Sequence, residues 1–583
     1  MDHQIKRQSA LCDGIFIVGA VLLLFFSMWK ARYGLGAYDE SFYLTIPYRM
    51  CRGDKLFLDE WNLSLLSALL QYPLMKFYLL VHPGTEGIVL AFRRIYVAVN
   101  FAAGLLAYRR LRKYGIGSAV AVLLYMLYVP YNIMALSYNS MGLLCGFLCA
   151  VLLTTAVRNS DYAVAGLFFA GLVLCQPLML VEFAVVYPVL ICVSLILKRR
   201  KILRGLLWLL SGCVILAIPV LVYFFFSVGI SNVIAALPFM MVDPEHNMGE
   251  LLSLYNICRF TADCFLPNYF LSLPTGVEFY TRPLFAVLYF VFIPIWTAIL
   301  LDRSRIRHAA LYLSLSALFC VGIGAVYTLL YLYKSSSLSY VNFILFPWLL
   351  HGVSLFPFLT KPEERKLLAL FYVLGFLHML SFLTSNQTGY VFSIALLPSC
   401  LASIMLGTKY CSSLGLAKGA SVFVCAALSA ALLFYLRTNY CFASPPVSML
   451  DTQCSSGPSA GLILSGEQAE HLEAVAVCVA EKQLRADEST LFLAPETQFY
   501  LCSGTDLAQY SVWLSLDIES TPTRLEDYYS FRPDKRPDAI LIEKSPLNPF
   551  SDLGSDTLSS WAAEHGFSFE EDSLCYFMRR MTG

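Results

Sequence analysis

Two adjacent acidic residues, Asp39 and Glu40, follow the first apolar run of the chain, which ends near residue 30. A carboxylate held at the edge of an apolar environment can serve as a general base, a role that contributes about 10²–10⁴-fold to a rate. The same spacing suits a solvated loop, and both interpretations stay open on the residues alone. Two further acids, Asp59 and Glu60, lie in the same connection.

Basic residues near these acids are few. Arg93 and Arg94 lie within an apolar run, where an arginine costs about 2.5–3.5 kcal/mol at the centre of a membrane and therefore needs a partner. Two kinds of partner are open. One is an ion pair with Asp39, Glu40 or Asp59, and the other is the phosphate group of a lipid.

Two more residues, one in a short connection and one in a long connection, are candidates for substrate binding. Lys334 is the only charged residue of a short connection on the side where the other short connections carry no lysine or arginine. We expect it to contact a phosphate, and the alternative is an anchor whose ammonium group reaches the lipid headgroups. His246 follows two acids in a long connection, where it is a base or a ligand, or else a solvated loop histidine.

The sequence contains neither a phosphate-binding glycine loop nor a dinucleotide-type glycine pattern, so we expect no nucleotide cofactor. No cluster of cysteine and histidine has the spacing of metal ligands. The carboxylates of Asp39, Glu40 and Asp59 are the oxygen ligands that a hard divalent metal ion takes. Metal dependence therefore stays open.

The 583 residues are 58% hydrophobic and only 14% charged, against roughly 25% charged in soluble domains. This composition excludes a soluble globular protein. Thirteen apolar runs, mostly of about 18–25 residues, predict a polytopic α-helical membrane protein, because each can cross the bilayer core as a helix. The runs cover approximately residues 11–30, 86–108, 117–136, 140–157, 162–178, 181–197, 203–228, 283–300, 309–331, 341–360, 367–384, 391–408 and 419–436.

Lysine and arginine predict the orientation of these spans. Twenty of them lie in the N-terminal segment and in alternate connections, among them the run Lys198–Lys201, whereas the short connections on the other side hold Lys334. The positive-inside bias places the N-terminus in the cytoplasm, and an odd number of spans then places residues 437–583 outside. We expect a bacterial plasma membrane, because residues 581–583 carry no endoplasmic-reticulum retrieval signal.

The predicted membrane domain covers residues 1–436 and has two long outer connections, residues 31–85 and 229–282. Connections of this length are usually functional. Their apolar stretches, such as Leu63–Leu70 and Ile234–Met241, suit helices that lie at the membrane interface.

The C-terminal region, residues 437–583, which we call the tail, is acidic. Ten Lys/Arg against twenty-two Asp/Glu give it a net charge of −12, which argues against nucleic-acid binding. Buried strands are predicted near 462–464, 491–493 and 539–542, with helices near 467–483 and 556–565, so we expect a soluble extracytoplasmic α/β domain. Cys441 and Cys454 are a candidate disulfide if the compartment is oxidising, whereas the other tail cysteines show no framework.

The first 115 residues carry a pattern of short motifs around the acids. In chain order these are Tyr38-Asp39-Glu40 with Tyr43, Gly53-Asp54, Asp59-Glu60-Trp61, Pro73-Leu74 and Arg93-Arg94. With the predicted spans and outer tail, the pattern resembles the GT-C superfamily of integral-membrane glycosyltransferases. It is especially similar to the branch that contains protein O-mannosyltransferases and the aminoarabinose transferases that modify lipid A. Beyond residue 115 no short motif is specific to that family.

The resemblance implies a glycosyltransferase that moves a sugar from a polyprenyl-phosphate donor to an acceptor hydroxyl at the extracytoplasmic membrane face, in cell-envelope glycan or glycolipid modification. Asp39 is then the general base and Glu40 its partner. The candidate substrate-binding residues are Arg93, Arg94, Lys334, Asp59, Glu60 and His246. The expected partners are the lipid-linked donor, a lipid, glycan or protein acceptor, and membrane lipids.

A transporter or flippase of a lipid-linked glycan is the alternative from another class. Such a protein places ionisable residues at mid-membrane along a pathway, whereas the charges here cluster at the outer ends of spans and in outer connections. A third alternative is a non-catalytic partner in cell-envelope assembly. The distribution of charge favours the enzyme over the transporter.

Overall fold

The computed structural model describes residues 2–62, 65–240, 276–333, 338–382, 390–414, 416–514 and 516–581, together with 258–259, 262, 265–266 and 270–272. Two of the predicted site residues, His246 and Lys334, lie outside the described residues, and their roles stay predictions.

Most of the described chain is helical. The α-helices are α1 (Asp2–Lys30), α2 (Ala37–Arg52), α3 (Ala68–Val81), α4 (Ile88–Leu111), α5 (Ile116–Leu127), α6 (Tyr138–Thr155), α7 (Asn159–Cys175), α8 (Leu178–Ile196), α9 (Arg200–Tyr223), α10 (Ile230–Met240), α11 (Thr281–Leu301), α12 (Arg305–Tyr333), α13 (Trp348–Leu355), α14 (Pro362–Ser381), α15 (Tyr390–Ser413), α16 (Leu416–Asn439), α17 (Gly466–Glu481), α18 (Gln498–Cys502), α19 (Ser520–Phe531) and α20 (Gly554–Glu564). Short 3-10 segments lie between them, and a π-helical turn, Phe224–Val228, continues α9.

Ten helical segments within the described residues are long and apolar enough to cross a membrane, so the chain is a polytopic helical membrane protein. Three of the thirteen predicted runs differ from these ten. Helices α5 and α7 have only 12 and 17 residues, and α14 begins with the four charged residues 363–366. The count of thirteen and the orientation that follows from it stay predictions.

Helix α15 forms the centre of the membrane domain. Its apolar window is fully buried, whereas that of α9 is only 6% buried, and α5, α13, α14 and α16 pack against α15. Gly117 of α5 lies so close to α15 that a Cβ atom there would come within 2.2 Å of the Met405 carbonyl oxygen. Such close approach at small residues is the usual way in which membrane helices pack.

The first outer connection contains α2 and α3. Helix α2 carries Asp39 and Glu40 in its first turn, where the partial positive charge of a helix N-terminus favours acids. It ends at Gly53, whose φ of 115° is left-handed and whose N–H donates to the Met50 carbonyl. Helix α3 exposes the large apolar side chains Phe77 and Leu80, as expected for a helix at the membrane interface.

The tail contains a five-stranded sheet with strand order β6-β5-β7-β9-β8. The β-strands of the chain are β1 (Phe270–Ser272), β2 (Glu278–Tyr280), β3 (Thr452–Gln453), β4 (Ile463–Leu464), β5 (Ser489–Leu493), β6 (Asp506–Leu507), β7 (Ala539–Glu543), β8 (Phe567–Glu571) and β9 (Cys575–Arg580). Strands β5, β6 and β7 are parallel, and β9 runs antiparallel to both β7 and β8.

The predicted strands near 491–493 and 539–542 are the central strands β5 and β7, in which every residue is buried. Central parallel strands read as continuous apolar runs because both faces are covered. The predicted strand near 462–464 differs, since β4 pairs with β3 in a separate two-stranded sheet. Its Ile463 also exchanges hydrogen bonds with the chain after α1, at Arg32 and Gly34.

The tail shares an apolar core with the first outer connection. Trp61 lies in this core, where it stacks on Tyr510 of the tail at 5.5 Å and on Phe239 of α10 at 5.0 Å between ring centroids. Its backbone N–H donates to the Tyr510 carbonyl over 2.8 Å. Phe42 and Ile46 of α2 belong to the same core. The tail therefore covers α2 and holds it in place.

Candidate functional site

The first turn of α2 places Glu40 against Arg93 of α4. Arg93 Nε donates to Glu40 Oε1 over 2.5 Å, and Nη2 donates to Oε2 over 2.6 Å. Both side chains are buried, with 1% of Glu40 and 4% of Arg93 exposed. A two-point contact of this kind is the strong form of a carboxylate–guanidinium pair. Glu40 Oε2 also accepts from the Gly36 N–H, which joins the pair to the start of the helix.

The remaining donors of Arg93 are used by the connection between α1 and α2. Nη1 donates to the carbonyls of Ala31 and Tyr33, and Nη2 donates to that of Gly34. Of the two partners that the sequence left open for this arginine, the structure shows the ion pair. Gly34 has a φ of +70° and lies so close to Cys441 that a Cβ atom would meet its Sγ at 2.6 Å, so glycine is required there.

Arg94 has a different environment from its neighbour. Adjacent residues of an α-helix point about 100° apart, and Arg94 is exposed while Arg93 is buried. The sequence predicted one role for both arginines, and the structure separates them. Arg94 is therefore a useful control for experiments on buried cations.

Asp39 is half-buried and lies close to a group of tyrosines. Burial raises the pKa of the Tyr43 hydroxyl, and the nearby groups of Tyr138, Asp39 and Tyr131 raise it further. The Tyr43 and Tyr138 rings meet edge-on with their centroids 5.9 Å apart. Asp39 and Glu40 thus have different surroundings, since Asp39 lies near the Tyr43 hydroxyl and Glu40 binds Arg93.

Tyr131 and Asn132 turn the chain between α5 and α6. Both have left-handed backbones, with φ of 55° and 64°, which is rare outside glycine and especially so for a bulky residue. Asn132 Nδ2 donates to the Tyr440 carbonyl over 2.7 Å, and its Oδ1 accepts from Arg437. Strained residues of this kind are held by their surroundings and cluster at functional sites.

Two more buried cations lie beside the Glu40–Arg93 pair. Lys30, the last residue of α1, places its Nζ 3.0 Å from Cys441 Sγ. Arg437 lies near the end of α16 and is 1% exposed. Neither residue was predicted as part of the site, because each reads as an ordinary cation at the end of a span and they are 407 positions apart in the chain.

A small cavity joins these groups. It leaves about 10 Å³ for the centre of a water-sized sphere, which is room for about one water molecule. Among the described residues that line it, the cations Lys30, Arg93 and Arg437 face one carboxylate, that of Glu40. Arg437 Nε is buried and has no hydrogen-bond partner within the described part of the chain. Buried charge without a counter-ion is costly, so the cavity is suited to an anion.

Asp59 and Glu60 contact the tail. Glu60 accepts from Ser511 Oγ over 2.5 Å and from the Val512 N–H over 3.1 Å, and Asp59 forms an ion pair with Arg532. Burial raises the pKa of both carboxyl groups. These acids join the first outer connection to the tail, and their predicted role in substrate binding stays a prediction.

A second pair of carboxyl groups lies where the tail meets α2. Glu543 ends β7 and Glu496 follows β5 closely, and the Glu496 N–H donates to Glu543 Oε2 over 3.1 Å. Both face Tyr38, whose carbonyl accepts from Thr497 Oγ1. The carboxyl ends of parallel strands are where α/β sheets place binding residues. Each acid follows a predicted strand within three residues, and this was the available signal in the sequence.

This pair predicts a pH-dependent stability. Burial raises the pKa of Glu496 to about 8 and that of Glu543 to about 7, whereas an unfolded glutamate has a pKa of about 4.3. The folded protein therefore holds more protons, and its free energy of unfolding should fall as pH rises from about 5 to 8, by up to about 1.4 kcal/mol per pH unit for each carboxyl. Thermal unfolding at about pH 5 and at about pH 8 measures this slope.

The double variant Glu496→Gln/Glu543→Gln should flatten the dependence between pH 5 and 8. Glu519 is exposed in the same region, and Glu519→Gln should leave the slope unchanged. An unaltered slope in the double variant would mean that other groups control it.

A group of potential metal ligands lies in the tail and does not include Asp39. Within the described residues, the one group of three His, Cys, Asp or Glu side chains whose ligand atoms all lie within 4.8 Å is that of Cys478, Asp572 and Cys575 in the tail. Asp39 and Asp59 do not form such a group with Glu40, whose carboxylate binds Arg93. The question of metal dependence at Asp39 therefore stays open.

No protein-family model matches the chain, and no curated protein matches it at significant similarity. The likeness to GT-C glycosyltransferases is thus a resemblance of short motifs in the first 115 residues. The function has to be argued from the residues of the site.

Proposed function

We propose that this protein is a glycosyltransferase that moves a sugar from a polyprenyl-phosphate donor to an acceptor hydroxyl at the extracytoplasmic membrane face. The observation that carries the proposal is the first turn of α2. It holds Asp39 near the Tyr43 hydroxyl, and it places Glu40 at a buried cavity whose described lining residues include three cations and one carboxylate. We assign the base to Asp39 and the phosphate site to the cavity beside Glu40.

The proposed reaction needs both a general base and a site for the phosphate. Asp39 accepts the proton of the acceptor hydroxyl, the hydroxyl oxygen attacks the anomeric carbon of the sugar, and the bond between that carbon and the phosphate oxygen breaks. The phosphate gains negative charge as it leaves, so a cation beside it stabilises the transition state more than the ground state. Hydroxyl groups of Tyr43 and Tyr138 are suited to orient the sugar or the acceptor.

Lys30 and Arg437 are the cations that we assign to the donor phosphate. Arg93 has its charge balanced by Glu40 and its N–H groups bound to backbone carbonyls. By contrast, Lys30 and Arg437 have no carboxylate of their own among the residues that line the cavity. The cavity holds about one water, so the phosphate enters only when its wall moves. The strained turn at Tyr131 and Asn132 is the part of the wall that we expect to move.

We expect Lys30→Met and Arg437→Met each to weaken binding of a polyprenyl phosphate at least about tenfold, because a charge-assisted hydrogen bond contributes about 1.5–3 kcal/mol. Each variant also loses a hydrogen bond within the chain, from Lys30 Nζ to the Tyr440 carbonyl or from Arg437 to Asn132 Oδ1, so we expect a small fall in melting temperature beside the loss of binding. Binding to the purified protein, measured by titration with a polyprenyl phosphate, and thermal unfolding together check this.

The matched control is Arg94→Met, which removes an exposed arginine and should leave binding unchanged. Lower melting temperatures with unchanged binding would show that Lys30 and Arg437 are structural. The phosphate site would then have to include residues such as Lys334 or Arg282.

The alternative function, transport of a lipid-linked glycan, is favoured by one observation. Both carboxylate oxygens of Glu182, in the second turn of α8, are buried and have no hydrogen-bond partner among the described residues. An ionisable residue in this situation within a span is a mark of a transport or ion pathway. Loss of lipid translocation in reconstituted vesicles on Glu182→Gln, with no transferase activity in the wild type, would favour this alternative.

A further inference from the structure

Three side chains of the tail meet at a place that the proposed reaction does not use. Cys478 of α17 and Cys575, the first residue of β9, bring their Sγ atoms within 3.2 Å of each other. Asp572 Oδ2 accepts from Cys575 Sγ over 3.4 Å and from Cys478 Sγ over 3.8 Å. Both cysteines are buried, with 5% and 0% of their surfaces exposed.

The spacing of the cysteines in the sequence did not indicate this pair, because the two are 97 residues apart. The pair that the sequence suggested does not meet in the structure. Cys441 Sγ donates to the Tyr33 carbonyl, and Cys454 Sγ donates to the Ser456 carbonyl.

We infer that Cys478 and Cys575 form a disulfide bond in the exported protein. A disulfide has an S–S distance of about 2.05 Å, so the two sulfur atoms need to approach by only about 1 Å from their separation of 3.2 Å. Disulfides form and persist outside the reducing cytoplasm. The inference therefore rests on the outer location proposed for the tail, and it does not depend on the chemistry of Asp39.

A metal site is the other use of such a group, and the surroundings argue against it. A structural zinc ion takes four ligands, and the group in the described residues offers three. Lys482 Nζ lies 3.0 Å from Asp572 Oδ2, so an ammonium group already balances the carboxylate.

Oxidation removes two electrons and two protons from the pair. The thiolate of one cysteine attacks the disulfide of an extracytoplasmic oxidant, either a protein or a small disulfide, and a mixed disulfide forms with release of one oxidant thiol. The second cysteine then attacks the sulfur of the first and releases the other oxidant thiol. Because both cysteines are buried in the folded tail, this exchange takes place during folding, before α17 packs on the sheet.

The bond would join a helix to the sheet and close a loop that contains β5 to β8. Crosslinks of long loops stabilise the most in the chain-entropy description. It would hold together the part of the tail whose Glu496 and Tyr510 contact the first outer connection.

Differential alkylation of the full-length protein in its native membranes tests the inference. Free thiols are blocked with N-ethylmaleimide under denaturing conditions, the sample is reduced, newly exposed thiols are labelled with iodoacetamide, and peptides are identified by mass spectrometry. We expect the second label on Cys478 and Cys575, one linked peptide before reduction, and the first label on the control Cys454.

If Cys478 and Cys575 carried N-ethylmaleimide, both thiols would have been free, and the inference would be overturned. The inference would also be overturned if no linked peptide were found and if a chelator made the two cysteines reactive towards N-ethylmaleimide. That result would indicate a bound metal. As a measurement that needs no variant, reductant present during slow heating should cleave the bond as the tail begins to open, and should lower the melting temperature of the wild type by roughly 10 °C.

The double variant Cys478→Ala/Cys575→Ala should be insensitive to reductant, whereas Cys454→Ala should respond as the wild type does. Failure of the proposed transferase function would leave the linked peptide unchanged. The two proposals therefore fail independently.

Discussion

We expect Asp39→Asn to lower the turnover of sugar transfer at least about a hundredfold, which is the lower end of the effect of losing a general base. Asparagine keeps the shape of the side chain and cannot accept the proton of the acceptor hydroxyl. Because Asp39 is only half-buried and asparagine is close to it in size, we expect a melting temperature and a donor affinity close to those of the wild type. Turnover with a polyprenyl-phosphate sugar measures the change.

The control for this variant is Asp552→Asn, which removes one carboxylate from an exposed site in the tail. It should leave turnover unchanged. Substantial activity in Asp39→Asn would move the base to another acid, with Glu40, Asp59 or the segment 243–246 as the next candidates.

The second large effect concerns stability. Glu40→Gln should lower the free energy of unfolding by about 3–5 kcal/mol, because removing one member of a buried ion pair leaves the other charge without a partner. Arg93 keeps its charge and remains buried in this variant. Thermal or denaturant unfolding in detergent measures the loss.

Two controls separate this effect from a general loss of charge. In the double variant Glu40→Gln/Arg93→Met the unpaired charge is gone, and part of the stability should return. Glu364→Gln breaks the pair with Lys409, which is partly exposed, and should cost less. If Glu40→Gln were as stable as the wild type and inactive, Glu40 would be the catalytic partner that the sequence predicted.

Local sequence predicted that the acids matter, but it predicted neither the helix α2 that carries them nor the different roles of the two acids. Asp39 and Glu40 look equivalent in the chain. The 100° rotation per residue of an α-helix gives them different neighbours, and those neighbours come from distant segments. Arg93 is 53 residues from Glu40, and nothing adjacent to either residue indicates that the two meet.

The predicted spans show where an apolar pattern locates the end of a helix correctly and where it does not. The run 117–136 reads as one span, yet α5 ends at Leu127. Pro130 and the left-handed residues Tyr131 and Asn132 follow, and this irregular backbone is held by side chains from α16 and from Asn342. Such a turn depends on partners remote in sequence, so hydropathy alone extends the helix through it.

The cations of the cavity were missed for the same reason. Lys30 and Arg437 each follow a span, where a basic residue is expected as an anchor. The packing of α1 beside α16 brings both cations close to Glu40. Among the described residues that line the cavity, positive side chains then outnumber negative ones. The central tail strands β5 and β7, by contrast, were predicted, because a buried parallel strand is a continuous apolar run, whereas β6, β8 and β9 of the same sheet were not.

The contact between the first outer connection and the tail has a consequence for biosynthesis. Ser511, which donates to Glu60, is 451 residues further along the chain. At translation rates of about 5–20 residues per second, α2 and Trp61 emerge roughly 20–90 s before the surface that covers them. During this interval their apolar side chains need a chaperone or the membrane interface as a temporary cover, and a nascent chain released early would leave Asp39 on a segment that has not folded.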